Sequence, residues 1–139
     1  LSQFKDAEVG FTITGLDEHA QKIFEPGAST PKERLDALKE LAGAGIKTWA
    51  FIGPILPGIT DDNIERLIDE LAKAHVSWIM LDQLRLKGNI HKKVEEAYKK
   101  HFPERIHKLE SADRLYYNIV EKRISRLCLE KGIDCRTAF

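Results

Sequence analysis

Residues 46–60 read IKTWAFIGPILPGIT, and this stretch determines how the rest of the chain is interpreted. Its first part, Ile46 to Ile52, is a nearly continuous apolar run, which is typical of a strand buried on both faces of a parallel sheet. The second part, Gly53 to Gly58, contains two glycines and two prolines and is predicted to form a loop. Ligands of α/β proteins bind at the carboxyl ends of parallel strands, so this loop is the first place where a site is expected.

Helical periodicity flanks this strand on both sides. A helix is predicted over residues 31–42, and the capping box Thr30-Pro31-Lys32-Glu33 marks its start: the threonine caps the helix and the proline occupies its first position. Residues 61–74 carry apolar side chains at helical spacing, and Thr60 or Asp61 is the predicted cap. The alternation of strand and helix predicts a βαβα ladder with parallel strands.

Two more strands are predicted, at residues 8–14 and 76–81. The first reads EVGFTIT, and its alternation divides the side chains between two faces. The apolar face suits packing against helices, whereas the small and hydroxylic face suits the lumen of a barrel or a cleft. The two faces consist of Val9, Phe11 and Ile13 and of Gly10, Thr12 and Thr14.

The remainder is predicted to be helical, over residues 89–101 and over residues 111–131, where Gly132 ends the second helix. We therefore expect an α/β fold: a partial (β/α) barrel of about three parallel strands with flanking helices, followed by a C-terminal helical segment. Residues 1–88 would form the half-barrel and residues 89–139 a helical extension packed on it. The apolar stripe predicted for the last helix consists of Leu115, Ile119, Val120, Ile124 and Leu127.

Three strands cannot close a barrel of six or eight strands. An open sheet would leave its hydroxylic face and its strand edges exposed, and such surfaces associate with partners. The chain also begins with Leu1 rather than Met and shows no signal-peptide pattern. We therefore expect a fragment or a processed chain, whose partner is the missing N-terminal half of the barrel, a second copy in a homo-oligomer, or both.

The composition is that of an ordinary soluble globular protein, with 139 residues, 42% of them hydrophobic and 32% charged. The 22 basic and 22 acidic residues give a net charge of zero, which provides no overall attraction to nucleic acid. Residues 92–100 include two lysine pairs, but Glu95 and Glu96 interrupt them, so a solvated helix face is preferred over a nucleic-acid patch. No apolar run approaches the ~18 residues of a membrane span.

The two cysteines, Cys128 and Cys135, match no metal-ligand spacing. Buried or free thiols in a reducing cytoplasm are preferred over a disulfide, and the predicted localisation is cytoplasmic. The five histidines show no ligand spacing either, and they are predicted to lie on the surface.

Four segments in order resemble the second half of the radical S-adenosylmethionine core, and within that superfamily the group related to spore photoproduct lyase. They read VGFTITGLDE, EPGASTPKERLDALKELAGAGI, IGPILPGITD and, more weakly, LDQLRLKGN. The resemblance extends over roughly residues 8–90 and is carried by the order of the segments, since each of them alone is unspecific.

The resemblance implies a partial six-stranded barrel that binds S-adenosylmethionine against a four-iron, four-sulfur cluster. The reduced cluster cleaves the cofactor to a 5′-deoxyadenosyl radical, which abstracts hydrogen from a substrate. This chain lacks the CxxxCxxC motif that holds the cluster in the family. It therefore corresponds to strands four to six, should be inactive alone, and is expected to bind neither cofactor by itself.

The resemblance also implies roles for particular residues. Thr12 and Thr14 match the positions that contact the ribose or the amino-acid moiety, with strand propensity as the alternative explanation. Arg34 could bind the cofactor carboxylate or be a solvated helix charge. The wall against the adenine would consist of Ile52, Ile55 and Leu56, for which core packing is the alternative.

Substrate recognition is assigned to the end of the third strand, at Asp82, Gln83 and Arg85, because a barrel presents its substrate-facing groups there, and contact with the adenine is a second role open to them. A structural ion pair between Asp82 and Arg85 is the alternative. Members of the family act on DNA lesions, peptides and small molecules, so nucleic acid is an unfavoured but open substrate of the parent enzyme.

Two other functional classes compete with the enzyme fragment. The first is a non-catalytic half-barrel that serves as a binding or assembly module and needs no cluster. The second is an unrelated α/β barrel enzyme, which is weaker because the chain has no glycine-rich phosphate loop and no paired carboxylates at strand ends.

Overall fold

The computed structural model describes residues 6–85 and 87–139 and shows a parallel sheet with helices. The strands are β1 (Glu8–Thr12), β2 (Lys47–Ile55), β3 (Trp78–Gln83) and β4 (Asp134–Thr137). The helices are α1 (Glu18–Phe24), α2 (Pro31–Gly43), α3 (Ile64–Lys73), α4 (Asn89–His101), α5 (Ile106–Ser111) and α6 (Arg114–Lys131), with a 3-10 turn at Pro103–Arg105.

The sheet has the order β1-β2-β3-β4, and every neighbouring pair is parallel. The predicted α/β class and parallel strands are confirmed, but the sheet has four described strands rather than about three. The strand missed by the sequence reasoning is β4, which is short and polar and gives no apolar alternation. It joins the sheet because Gly132, in the left-handed region with φ 73°, ends α6 and turns the chain back along β3.

Helices α2, α3 and α6 cover one face of the sheet and enclose the main core. Alternate residues of β2 and their ladder partners in β3 point into this layer, as in the fully buried set Ala50, Ile52, Ile79 and Leu81. The predicted stripe of α3 is confirmed, since Ile64, Leu67, Ile68 and Leu71 are all buried.

The predicted stripe of α6 is partly wrong. Leu115 and Ile119 are 65% and 57% exposed, whereas Val120 and Ile124 are buried as expected. The buried face also contains Tyr117 and Cys128, which contact the same core. The predicted stripe and the observed buried face both have helical spacing. The packing of α6 on α3 and β4 determines that the face with Tyr117 and Cys128 is the buried one.

The turn after β2 also differs from the prediction. Strand β2 continues to Ile55 through residues that were expected to form a loop. Thr60 and Asp61 do not cap α3: the Thr60 hydroxyl accepts a hydrogen bond from the Leu56 N–H (2.8 Å), and the Asp61 carboxylate accepts one from the Gly58 N–H (2.7 Å). Both side chains therefore stabilise the turn at residues 56–60, and α3 begins later, at Ile64.

A second apolar cluster lies against this turn and is here called the cap cluster. It contains Ala20 of α1, Leu56 and Ile59 of the turn, Tyr98 and Phe102 at the end of α4, and Leu109 of α5. The Tyr98 hydroxyl donates a hydrogen bond to the Pro57 carbonyl at 2.8 Å, and burial raises the pKa of this phenol. Since α1, the turn and α4 follow β1, β2 and β3, the cap cluster lies at the carboxyl ends of the strands.

The other sheet face is here called the open face. It consists of Thr12, Trp49, Phe51, Trp78, Met80 and Arg136, which share a side because ladder partners in parallel strands point the same way. Apart from Trp78, these side chains are only half-buried or exposed. The sequence prediction of an uncovered face that carries Thr12 is consistent with this arrangement.

Candidate functional site

A groove of about 470 Å³ lies where β1 ends. Its wall combines the end of β1, the segment after α1 and the first turn of α2, and it includes Thr12, Glu25, Ser29 and Arg34. Two local signals place these residues. The Asp17 carboxylate accepts hydrogen bonds from the N–H groups at the start of α1, and the Thr30 capping box fixes the start of α2.

Arg34 connects the three parts of the groove. Its side chain is only 11% exposed, and Nη1 lies 3.2 Å from Glu25 Oε2. The same nitrogen donates a hydrogen bond to the Thr12 carbonyl. The alternative explanation of Arg34 as a solvated helix charge is therefore wrong, because the guanidinium is largely buried and holds Glu25 beside Thr12. Both contacts use Nη1, so, as far as residues 6–85 and 87–139 are concerned, the other N–H groups of the guanidinium remain for a ligand.

Deeper on the open face, three side chains form a column of stacked planes. The rings of Trp49 and Trp78 have centroids 4.6 Å apart and are inclined by 6°, and the guanidinium carbon of Arg136 lies 4.0 Å from the centroid of Trp78. A Cβ on Gly10 would lie 2.1 Å from the indole of Trp49, so glycine is required where that ring crosses β1. This column fills the open face near the amino-terminal ends of β2 and β3 and leaves the ends beside Thr12 accessible.

The structure does not bring all the predicted cofactor residues together. Thr12 lies at the groove, and Thr14 follows it past the end of β1 and is half-buried. Ile52 and Ile55 are fully buried, and Leu56 is buried in the cap cluster. These positions favour core packing over contact with a base, and the assignment of the three residues to adenine stays a prediction.

The predicted substrate residues lie two strands away from the groove, at the end of β3. Asp82 and Arg85 form the ion pair that was the alternative explanation, at 3.6 Å, and Arg85 also donates a hydrogen bond to the Ala138 carbonyl at 3.3 Å. Gln83 instead lines a cavity of about 560 Å³, together with Asp113, which caps α6, and with Asn118 in α6. Their role in substrate recognition stays a prediction.

Sequence reasoning missed the tryptophan column and the pairing of Glu25 with Arg34. Alternation in β2 alone places Trp49 and Phe51 on one face. If the register between β2 and β3 had also been predicted, it would have placed Trp78 beside Trp49 on that face. Arg136 could not have been found in this way, because β4 was not predicted.

No metal site is present in the described residues. Within 6–85 and 87–139, no three His, Cys, Asp or Glu side chains are grouped closely enough to hold a metal ion. Cys135 lies on β4, at the opposite edge of the sheet from Thr12, and its partner in β3 is Ile79 on the helix-covered side. The two cysteines are therefore remote from the groove, and this set of side chains does not fit an iron–sulfur cluster. In the described part of the chain, every helix is too short or too polar to cross a bilayer.

Comparison with known proteins identifies two relatives. An uncharacterized protein of Methanocaldococcus jannaschii is 36% identical over 89 residues, which are 64% of this chain and 33% of that protein. An uncharacterized protein of Acidianus two-tailed virus is 27% identical over 137 residues, covering 84% of this chain and 46% of that protein. The chain thus spans less than half the length of these curated relatives. No family model matches the chain, and no solved structure does.

Proposed function

We propose that this chain is the C-terminal half of a radical S-adenosylmethionine barrel and contributes one side of the cofactor pocket. The observation that carries the proposal is the groove at the end of β1, where Thr12, Glu25 and Arg34 meet beside the open face. The order of the four sequence segments supports the same assignment.

The groups in the groove suit parts of this cofactor. The Thr12 and Ser29 hydroxyls can bind the hydroxyls of a ribose, and the Glu25 carboxylate can bind an ammonium group. The free N–H groups of Arg34 can bind a carboxylate, since guanidinium matches its geometry. The volume of about 470 Å³ is within the range of small-molecule sites.

The cluster, by contrast, has to be bound by other residues. The described part of this chain offers no group of three ligands, so the three cysteines would belong to the N-terminal half of the barrel. When bound beside such a cluster, the cofactor supplies radical chemistry. The task of this chain is to hold the cofactor: Thr12 and Arg34 orient it, and the tryptophan column limits how far it reaches into the barrel.

A second candidate is a non-catalytic half-barrel that binds or assembles through the open face. The observation that favours it is the half-buried pair Trp49 and Phe51 on the open face, in a sheet whose outer strands β1 and β4 each pair with one neighbour in the described part of the chain. In this case the partner is a second copy of the chain. Sedimentation of the chain should then show a concentration-dependent dimer, and a monomer at high concentration would count against it.

The coding sequence upstream of the Leu1 codon tests the first candidate against the second. An in-frame segment of about 100 or more residues with a CxxxCxxC motif would complete the barrel. A start codon directly upstream, without that motif, would refute the enzyme proposal and favour the binding module.

In the protein made from the complete reading frame, Thr12→Val should weaken cofactor binding about threefold to tenfold through the lost hydroxyl. Thr137→Val is the matched control, because Thr137 lies on the opposite edge strand, next to Leu81. Arg34→Ala is a less clean test, since it also removes the link between Thr12 and Glu25. Equal cofactor affinity in the Thr12 variant and its control would remove Thr12 from the pocket.

A further inference from the structure

The end of α6 and strand β4 bring the two cysteines of the chain together. Cys128 lies in the last turns of α6 and is fully buried, and Cys135 lies on the helix-facing side of β4 and is half-buried. The turn between them is tight, because the Ile133 N–H donates a hydrogen bond to the Cys128 carbonyl at 2.9 Å. Helix α6 packs on β4, and Ser125, one turn before Cys128 in α6, has its hydroxyl 3.7 Å from the Cys135 sulfur.

The surroundings make the two thiols unequal. The neighbouring Cys128 side chain lowers the pKa of the Cys135 thiol to about 7, and the hydrogen bond that the Ser125 hydroxyl donates to this sulfur at 3.7 Å acts in the same direction. Partial burial of Cys135 opposes this shift of the pKa, and so do the carboxylates of Glu121 in α6 and Asp134 in β4. Ile79, the ladder partner of Cys135 in β3, is uncharged. The neighbouring Cys135 side chain and burial both raise the pKa of Cys128. Cys135 is thus the thiol with thiolate character and access to solvent.

We propose that Cys135 is a modification site for low-molecular-weight disulfides and that Cys128 resolves the product into a Cys128–Cys135 disulfide. In the first step the Cys135 thiolate attacks one sulfur of a disulfide such as glutathione disulfide, which forms a mixed disulfide and releases one glutathione thiolate. In the second step Cys128 loses its proton to that thiolate and attacks the Cys135 sulfur. A second glutathione thiolate leaves and takes up the proton that Cys135 had lost.

The exchange balances, since two protein thiols are oxidised to one disulfide and one glutathione disulfide is reduced to two thiols. Its structural consequence concerns β4, a strand of four residues that lies at the edge of the sheet and, among the described residues, pairs with β3 alone. A bond between α6 and β4 fastens this edge and keeps Arg136 over Trp78 on the open face. The proposal is independent of whether that face binds a cofactor.

The test treats the reduced chain with excess glutathione disulfide near neutral pH, traps free thiols by alkylation and measures the intact mass. The wild-type chain should lose two hydrogens and resist alkylation at both cysteines. Cys128→Ala should retain one glutathionyl group at Cys135. In Cys135→Ser, Cys128 should remain a free thiol, because its reaction with glutathione disulfide should be at least about tenfold slower than the reaction of the wild type.

Two further measurements test whether the neighbours of Cys135 cause its reactivity and whether the disulfide stabilises the folded chain. The alkylation rate of Cys135 in Cys128→Ala and in Ser125→Ala should fall below that of the wild type at pH 7, because each change removes a neighbouring side chain that lowers the pKa of Cys135. Thermal unfolding should show that the oxidised wild type melts about 5 °C or more above the reduced one, while the variants remain folded.

Three results would overturn the proposal. If both thiols of the wild type stay free, Cys135 does not react with the disulfide. If the wild type retains a stable glutathionyl group, Cys128 does not resolve the adduct. A Cys135→Ser variant that reacts as fast as the wild type would show that Cys128 is the attacking thiol.

Discussion

Replacement of Tyr98 by phenylalanine tests whether the cap cluster is held by one buried hydrogen bond. Tyr98 is fully buried, and its hydroxyl donates to the Pro57 carbonyl at 2.8 Å. This bond joins α4 to the turn after β2, across 41 residues of sequence. The phenylalanine ring fills the same space, so the change removes the hydrogen bond and little else.

The expected cost follows from the burial of both partners. A neutral hydrogen bond contributes about 1 kcal/mol net, and a carbonyl left unpaired in an apolar cluster costs about 1–3 kcal/mol. At the average unfolding entropy of globular proteins, 1 kcal/mol corresponds to roughly 3 °C in a domain of this size. Tyr98→Phe should therefore lower the melting temperature by about 3–9 °C.

Thermal and urea unfolding of three variants provide the assay. Tyr98→Ala should cost more than Tyr98→Phe, about 3–5 kcal/mol, because it also leaves a cavity where the ring contacts Phe24 and Phe102. Lys100→Ala is the control on the exposed side of α4 and should change the free energy of unfolding by less than about 0.5 kcal/mol. A Tyr98→Phe melting temperature within about 1 °C of the wild type would refute the reasoning, since the hydroxyl would then contribute nothing net.

Two further predictions follow from the open face and from the buried phenols. Gly10→Ala should lower the free energy of unfolding by about 1–3 kcal/mol and alter the near-UV circular dichroism, because a Cβ would lie 2.1 Å from the indole of Trp49 and displace it from Trp78. Gly15→Ala is the control and should leave the spectrum unchanged, because its Cβ would have no described atom within 4 Å. Burial raises the pKa of Tyr98, Tyr116 and Tyr117, so above pH ~10 the unfolded chain binds fewer protons than the folded one and stability should fall as the pH rises. Each tyrosine lowers the free energy of unfolding by up to about 1.4 kcal/mol per pH unit in this range. Urea titrations at alkaline pH should therefore show that the stability of Tyr98→Phe falls less steeply with pH than that of the wild type.

The elements that the sequence determined are those with local causes. The Thr30–Glu33 capping box forms as predicted, Asp17 caps α1, and Gly132 ends α6 in the left-handed conformation that its missing side chain permits. The apolar run from Ile46 fixed the central strand, and helical spacing fixed the buried face of α3. Each signal lies within a few residues of the structure that it specifies, so one sequence was sufficient.

The tertiary structure decided what depends on distant partners. Strand β4 is polar and short, and it is a strand only because β3 offers a free edge. The buried side of α6 was chosen by α3 and β4 from two stripes of equal spacing. Arg34 became part of the groove because the fold places the Thr12 carbonyl within its reach, 22 residues away. In each of these cases the local sequence is compatible with more than one structure, and contacts with elements that are distant in sequence determine which one forms. Periodicity in the sequence does not contain that information.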